Sequence, residues 1–254
     1  MNILRKLIDP FFHLPVRVRR GPAKGAWWSV YPYSAYWRLG GNDAEVESVI
    51  KKFGSRPGST CWDMGAHYGI YAVGMVMAVG PQGRVDAFEP DPVSCRRLRW
   101  HRRINRLDNL HIHEAAATDS GGNARLYQYD AFGGTSSHLP YTNETLQGVP
   151  YRTVTKVRID DWIDAGILGL PDFIKMDIEG HAAPALRGME RTLAAAQPVI
   201  LVAIHTGEEY QQVMEFLGSL DYKCRTVSGT PAGTPDGIFF GELLCLPWDQ
   251  SAAA

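Results

Sequence analysis

Several absences narrow this sequence before any motif is read. Its four cysteines, Cys61, Cys95, Cys224 and Cys245, form no Cys-x-x-Cys pair. Neither a zinc knuckle nor a disulfide framework is therefore expected, and a reducing cytoplasm is the expected setting. The longest apolar run, Ile70 to Gly80, falls short of the ~20 residues a spanning helix needs. Pro10, His13 and Pro15 interrupt the amino terminus, so no secretory signal is expected. Neither sign of charge dominates: 26 basic against 27 acidic residues leave a net charge of -1. Nothing global draws such a chain to nucleic acid. Gly-x-Gly-x-x-Gly and Gly-Lys-Ser/Thr are both missing, which removes the usual cradles for a pyrophosphate and for a magnesium triphosphate.

What remains is the composition of a soluble globular enzyme, 45% hydrophobic and 21% charged over 254 residues, enough to bury one sizeable core. The most informative stretch is CWDMGAHYGIYAVGM, residues 61–75. An apolar strand runs into Asp63, a turn of Gly65, Ala66, His67, Tyr68 and Gly69, and an apolar helix. A second strand ends in VDAFEPD, placing Glu89 26 residues after Asp63. Small residues admit a ligand close to the backbone, and an acid ending the next parallel strand accepts from both hydroxyls of a ribose. The spacing Asp-x-Gly-x-x-x-Gly suits S-adenosylmethionine, whose ribose carries an amino acid in place of phosphates.

Strands near 59–64, 84–89, 110–115, 172–177 and 198–204, with helices after each, predict a doubly wound, mostly parallel α/β sheet. KCRTV and FFGELLCL supply two final strands, making seven. Pro92 suits the first turn of the helix that follows Glu89. That helix carries Arg96, Arg97, Arg99, Arg102, Arg103 and Arg106, expected to form a solvated face. The chain divides into a leader, 1–55, packing on or flanking the core, and a main domain, 56–250. The leader is basic at Arg5, Lys6, Arg17, Arg19, Arg20 and Lys24, a solvated or partner-facing segment with peripheral membrane contact as the other reading. Its aromatics Trp27, Trp28, Tyr31, Tyr33, Tyr36 and Trp37 would either form a contact surface, as of a homo-oligomer, or pack on the domain.

Between the third and fourth strands an insertion of about 118–171 holds two alternating strands, ARLYQYD and YRTVTKVRID, around a long polar loop. A loop of this length at the ligand edge is expected to act as a lid, and Ser136 and Ser137 are hydroxyls for the methionine part of the donor. DFIKMDIEG then ends a buried strand in Asp177, followed by Glu179, and PVILVAIH ends in His205. Acids and an imidazole at strand ends face the crevice of an open sheet, so these three are the candidate catalytic residues. Asp160, Asp161, Asp177 and Glu179 are oxygen donors of the kind magnesium takes, but their spacing fixes no octahedron and no metal is assigned.

CWDMGAHYGIYA, VDAFEPDP, the Gly-Gly-Thr-Ser-Ser loop, VRIDDWI, DFIKMDIEGHAAPALRG and QPVILVAIH, in this order over roughly 59–205, resemble the FkbM family of S-adenosylmethionine-dependent methyltransferases. The resemblance implies a class I methyltransferase fold, S-adenosylmethionine as donor with S-adenosylhomocysteine as product, and O-methylation of a hydroxyl on a sugar, glycan or natural product. With the fold's geometry it implies that Asp63 orients the glycine loop or the methionine amine and that Gly65, Ala66 and Tyr68 give close backbone contact. Glu89 would take the ribose, Pro90 and Asp91 the adenine side, and Glu114 and Ala115 the base. Ala182 and Ala203 stand where the family pattern has glutamates. They point to different acceptor chemistry, to introduced changes, or to a non-catalytic nucleoside or glycan binder on the same scaffold; a dehydrogenase is a third reading.

Overall fold

The structure, a computed structural model, describes residues 15–29, 44–128, 147–227 and 241–250, with 137–138 as backbone alone. A hairpin of β1 (Pro15–Arg17) and β2 (Trp27–Ser29) precedes helix α1 (Ala44–Phe53). Then follow β3 (Thr60–Met64), α2 (Ile70–Val79), β4 (Arg84–Phe88), α3 (Pro92–Asn105) and β5 (Leu110–His113). The insertion holds β6 (Ala116–Thr118), β7 (Gly122–Gln128), β8 (Ser137–His138) and β9 (Tyr151–Arg158). The second half runs α4 (Ile159–Asp164), β10 (Phe173–Met176), α5 (Ala182–Arg187), α6 (Glu190–Ala196), β11 (Val199–Ile204), α7 (Gly207–Ser219), β12 (Tyr222–Thr226) and β13 (Gly241–Pro247).

Seven strands form the central sheet in the order β12-β13-β11-β10-β3-β4-β5, in which β13 alone runs antiparallel to its neighbours. From β3 the chain winds outward through β4 and β5, then returns to β10 on the other side of β3. The strand order therefore reverses between β3 and β10, and open sheets bind ligands in the crevice at such a reversal. Alternation along β10 explains how the sheet holds two cores: Phe173 and Lys175 face one side, Ile174 and Met176 the other. Phe173 joins Trp28, Val73, Leu98 and Leu201 in one buried cluster; Ile174 and Met176 join Trp62, Phe88, Leu186 and Val202 in the second.

Local rules account for the helices. Asp91 caps α3, accepting from the Ser94 amide at 3.0 Å, with Pro92 at the first position, where no amide hydrogen is needed. Thr206 caps α7 by accepting from the Glu209 amide at 3.0 Å. Helix α2 is apolar on nearly every side and is buried accordingly; a side chain at Gly74 would collide with Pro22, so the leader crosses it at close range.

Three expectations are corrected. No helix follows β5: the chain enters a second sheet of four strands, ordered β6-β9-β7-β8, instead of a single hairpin. The alternation in ARLYQYD and YRTVTKVRID marks the pairing of β7 with β9, but not that the edge of β9 also takes up β6. Trp28 is no surface aromatic; it is 1% exposed and stacks on His101 at 3.7 Å between ring centroids, while Tyr31, Tyr33, Tyr36 and Trp37 lie outside the described residues. Third, Cys224 and Cys245 are bonded as a disulfide. Sequence spacing gave no sign of it because the two residues become neighbours only as direct partners in the β12–β13 register. Reduction is expected to lower the unfolding free energy by about 2–3 kcal/mol, measured by denaturation with and without reductant against a Cys224→Ser control. Among the described residues no helix is long and apolar enough to cross a membrane.

Candidate active site

The carboxyl ends of β3, β4 and β10 enclose a cavity. Its floor is the turn after β3. Gly65 sits at φ 81° and Gly69 at φ 88°, a region glycine enters without penalty. A β-carbon on Gly65 would strike the backbone carbonyl of Asp177, so this glycine lets the β3 and β10 loops approach. His67 also adopts a left-handed conformation, φ 49°, and its ring stacks on Tyr68 at 3.7 Å.

Glu89 closes one wall. It is 7% exposed, and its oxygens accept from the His67 amide at 2.7 Å and the Asp91 amide at 2.8 Å. The carboxylate is thus clamped between the two donor loops with its remaining lone pairs at the cavity. Burial pushes its pKa up to about 7, against the two amide bonds that favour the charge. Pro90, Asp91 and Ala115 line the same wall. Glu114 does not; it pairs with Arg99 at 2.7 Å from the link between β5 and β6, past the strand's end at His113. Asp91 spends one oxygen on the α3 cap, while its other oxygen lies 3.8 Å from Arg152 on β9. Ser136 lies outside the described residues, and Ser137 is placed only as backbone of β8.

Asp63 is fully buried and does not line the cavity. Its register partner across the sheet is Lys175, whose ammonium lies 3.8 Å from Asp63 Oδ1 and 3.4 Å from Asp177 Oδ2. Lys175 does line the cavity, with its charge 4.9 Å from the Tyr71 ring centroid. Sequence reasoning missed it, although a lysine inside the buried strand FIKM was the available signal, since such a charge is kept only when paired. Burial works against its charge, but Asp177, Asp63 and, beyond them, Glu242 hold its pKa above the usual lysine value. Burial also raises Asp63, against the attraction of Lys175. Asp63 is thus paired electrostatically with Lys175 beneath the cavity and does not itself face it.

Asp177, Glu179 and His205 do converge. His205 Nε2 lies 3.4 Å from Asp177 Oδ1 and 3.7 Å from Glu179 Oε2. Glu179 reaches this position from a tight turn in which it has φ 52° and Gly180 has φ 87°. Asp177 and Glu179 border the cavity, and the imidazole stands behind them, 30% exposed. Asp177 and Glu209 push His205 up to about 10, against its burial. Asp177 is held below the usual carboxylate range: burial opposes its charge, but Lys175 and His205 outweigh it. Burial raises Glu179, against the pull of His205.

One atom from each of these three residues falls within 4.8 Å of the others. The Lys175 ammonium and the imidazole already neutralise this edge, and we assign no metal to it. Asp160 and Asp161 lie elsewhere. Asp160, 1% exposed, accepts from the Thr192 amide at 3.0 Å and the Thr192 hydroxyl at 2.7 Å, and Asp161 pairs with Arg158. Asp160 thus ties α4 to α6, while Asp161 is exposed.

The two alanines have acidic company. The Ala182 amide donates to Glu209 Oε1 at 2.8 Å. Ala203 is the cross-strand partner of Glu242, which faces Lys175 from the same side of the sheet.

A sheet wound in this order, with a glycine turn, a strand-end acid and polar groups beyond the reversal point, has the class I methyltransferase fold. The model of the methyltransferase FkbM domain matches residues 63–224, and the chain belongs to that family. It is 25% identical over 156 residues to the hexuronic acid methyltransferase AglP of Haloferax volcanii, covering 61% of this chain and 60% of that relative. Among solved structures, the methyltransferase FkbM from Methylobacillus flagellatus superposes with a TM-score of 0.51 at 20% identity, covering 78% of this chain and 50% of the other. Cofactor-bound Rv0187 from MTB gives 0.50 at 11% identity, with 82% of each chain covered.

Proposed function

We propose that the chain methylates a hydroxyl of a sugar or glycan, with a hexuronic acid the first acceptor to test. The observation that carries this reading is the convergence of His205 with Asp177 and Glu179, the two acids that border the cavity. The name of the Haloferax volcanii relative directs the choice of acceptor.

The residues suit the donor. Glu89 presents a clamped carboxylate where a ribose would offer two hydroxyls, and the turn from Gly65 to Gly69 carries little side-chain bulk at its glycine positions. When bound, S-adenosylmethionine supplies a methyl group already activated on a sulfonium. What the protein must add is position and a place for the acceptor's proton. Holding the hydroxyl oxygen about 3 Å from the methyl carbon removes much of the barrier. A positioned base then contributes about 100- to 10,000-fold. His205 is assigned that role, with Asp177 and Glu179 orienting the imidazole and holding the acceptor. Its raised pKa narrows the gap in proton affinity to a sugar hydroxyl, at the cost of keeping most of it protonated at neutral pH.

The reading of a non-catalytic binder rested on Ala182 and Ala203. Glu209 and Glu242 now stand beside them, which favours turnover. Incubation with methyl-labelled S-adenosylmethionine and a panel of glucuronides, neutral glycosides and free uronic acids is expected to label the uronides. Donor binding with no labelled sugar would return the binder reading.

A further inference from the structure

Glu209 is an acid that the sequence gives no reason to notice. It lies in the first turn of α7, where acids are common and usually exposed, yet it is 0% exposed. Its two oxygens serve two different segments. Oε1 accepts from the amide of Ala182 at the start of α5 at 2.8 Å, and Oε2 from the amide of His205 just past β11 at 2.8 Å. Helix α7 does not need it as a cap, since Thr206 fills that role.

Taking a carboxylate fully out of water is costly unless its oxygens are satisfied. Here they are satisfied by the backbone of the two segments that carry the candidate chemistry. One is the turn bearing Asp177 and Glu179; the other bears His205. Glu209 Oε2 also lies 3.8 Å from His205 Nδ1. Three carboxylates thus surround this imidazole: Asp177 from the end of β10, Glu179 from the following turn, and Glu209 from α7. The imidazole is thus held between acids on both of its nitrogens, Asp177 and Glu179 at Nε2 and Glu209 at Nδ1.

We propose that Glu209 is a positioning residue for methyl transfer: its buried carboxylate fixes the distance between the acid-bearing turn and His205 and holds the imidazole with Nε2 beside Asp177 and Glu179 at the cavity border. This rests on the assignment of His205 as base. A glutamine cannot reproduce the arrangement, because its amide nitrogen would face one of the two backbone N–H donors. An aspartate keeps the charge but is one methylene shorter, so it reaches one donor at a time.

The test follows the His205 ring by NMR in the unmodified protein, Glu209→Gln and Glu209→Asp, alongside calorimetric binding of S-adenosylhomocysteine. In the glutamine variant the His205 midpoint is expected to fall by about one to three pH units, the range for removing a charge roughly 4 Å away. Product affinity is expected to stay within about twofold, since Glu209 touches no donor wall. With an acceptor in hand, kcat falls in the order Glu, Asp, Gln by up to roughly 100-fold while donor KM holds. An unshifted His205 midpoint in a folded Glu209→Gln protein, with only a lower Tm, overturns the proposal. If the glutamine variant does not fold, the aspartate variant decides: unchanged kcat and an unchanged pH profile there overturn it equally. Absence of methyl transfer by the unmodified chain would instead count against the proposed function, because the ring titration needs no acceptor.

Discussion

Replacing Glu89 with alanine is expected to weaken S-adenosylmethionine binding by about 100-fold or more, the combined loss of charged hydrogen bonds worth about 1.5–3 kcal/mol each. The side chain does two things at once. It offers a carboxylate to the ribose, and it holds the His67 and Asp91 amides that shape the two donor loops. Conservation of charge therefore matters as well as geometry, and pH should report it. Ribose hydroxyls donate to the ionised form, so the donor prefers Glu89 deprotonated. The free protein holds a proton there below about 7, and binding must then release it. Affinity is expected to be flat above pH 8 and to fall by up to tenfold per unit as pH drops below about 7.

The linked stability has the opposite direction. A raised pKa means that the folded state holds this proton more tightly than the unfolded chain. The corresponding stabilisation is complete below about 4.5 and is lost as pH rises through about 7. Donor binding should accordingly raise Tm more at pH 8 than at pH 6. Calorimetric titrations across this range would settle it; a dissociation constant independent of pH from 6 to 8 would remove Glu89 from the ribose site.

His205→Ala is expected to lower kcat by about 100- to 10,000-fold and to leave donor affinity unchanged, since the ring stands outside the donor walls. As the base, His205 must be deprotonated to act. With its proton held up to about 10, turnover should climb with pH through the neutral range and level off near that value. Asp177→Asn removes the nearest carboxylate, at 3.4 Å, so it should move the rising limb to lower pH as well as reduce kcat.

Stability again supplies a check that needs no acceptor. The stabilising effect of the protonated imidazole among its acids is fully present below about 6.5 and fades as pH rises through about 10. The unmodified protein should therefore exceed His205→Ala in stability at pH 6, with the gap closing by pH 10. A kcat that is flat with pH and unaffected by loss of the imidazole would transfer the base to Asp177 or Glu179.

The cavity wall made by the Gly65-to-Gly69 turn and Glu89 was legible in the sequence because its logic is local. Asp63, the Gly65-to-Gly69 turn and Glu89 sit within two consecutive strand–turn units, where residue order and small side chains already dictate which atoms meet. Asp177, Glu179 and His205 were legible for the same reason, as groups ending strands on one edge of a wound sheet. Glu114 follows the last residue of β5, where strand alternation no longer predicts which side chain turns inward, and it pairs with Arg99 instead of lining the cavity.

What the sequence could not settle was everything that depends on register between distant segments. Lys175 opposes Asp63 only because β10 pairs with β3 in one particular alignment, and Cys224 meets Cys245 by the same kind of accident between β12 and β13. The two alanines looked like lost carboxylates when read along the chain, whereas the folded protein brings Glu209 to the amide of Ala182 and Glu242 to the strand position beside Ala203. Local order fixed the donor chemistry through short-range backbone geometry. Long-range packing decided which charges surround the imidazole, because a carboxylate acts on what it lies next to in space and not on what it follows in sequence.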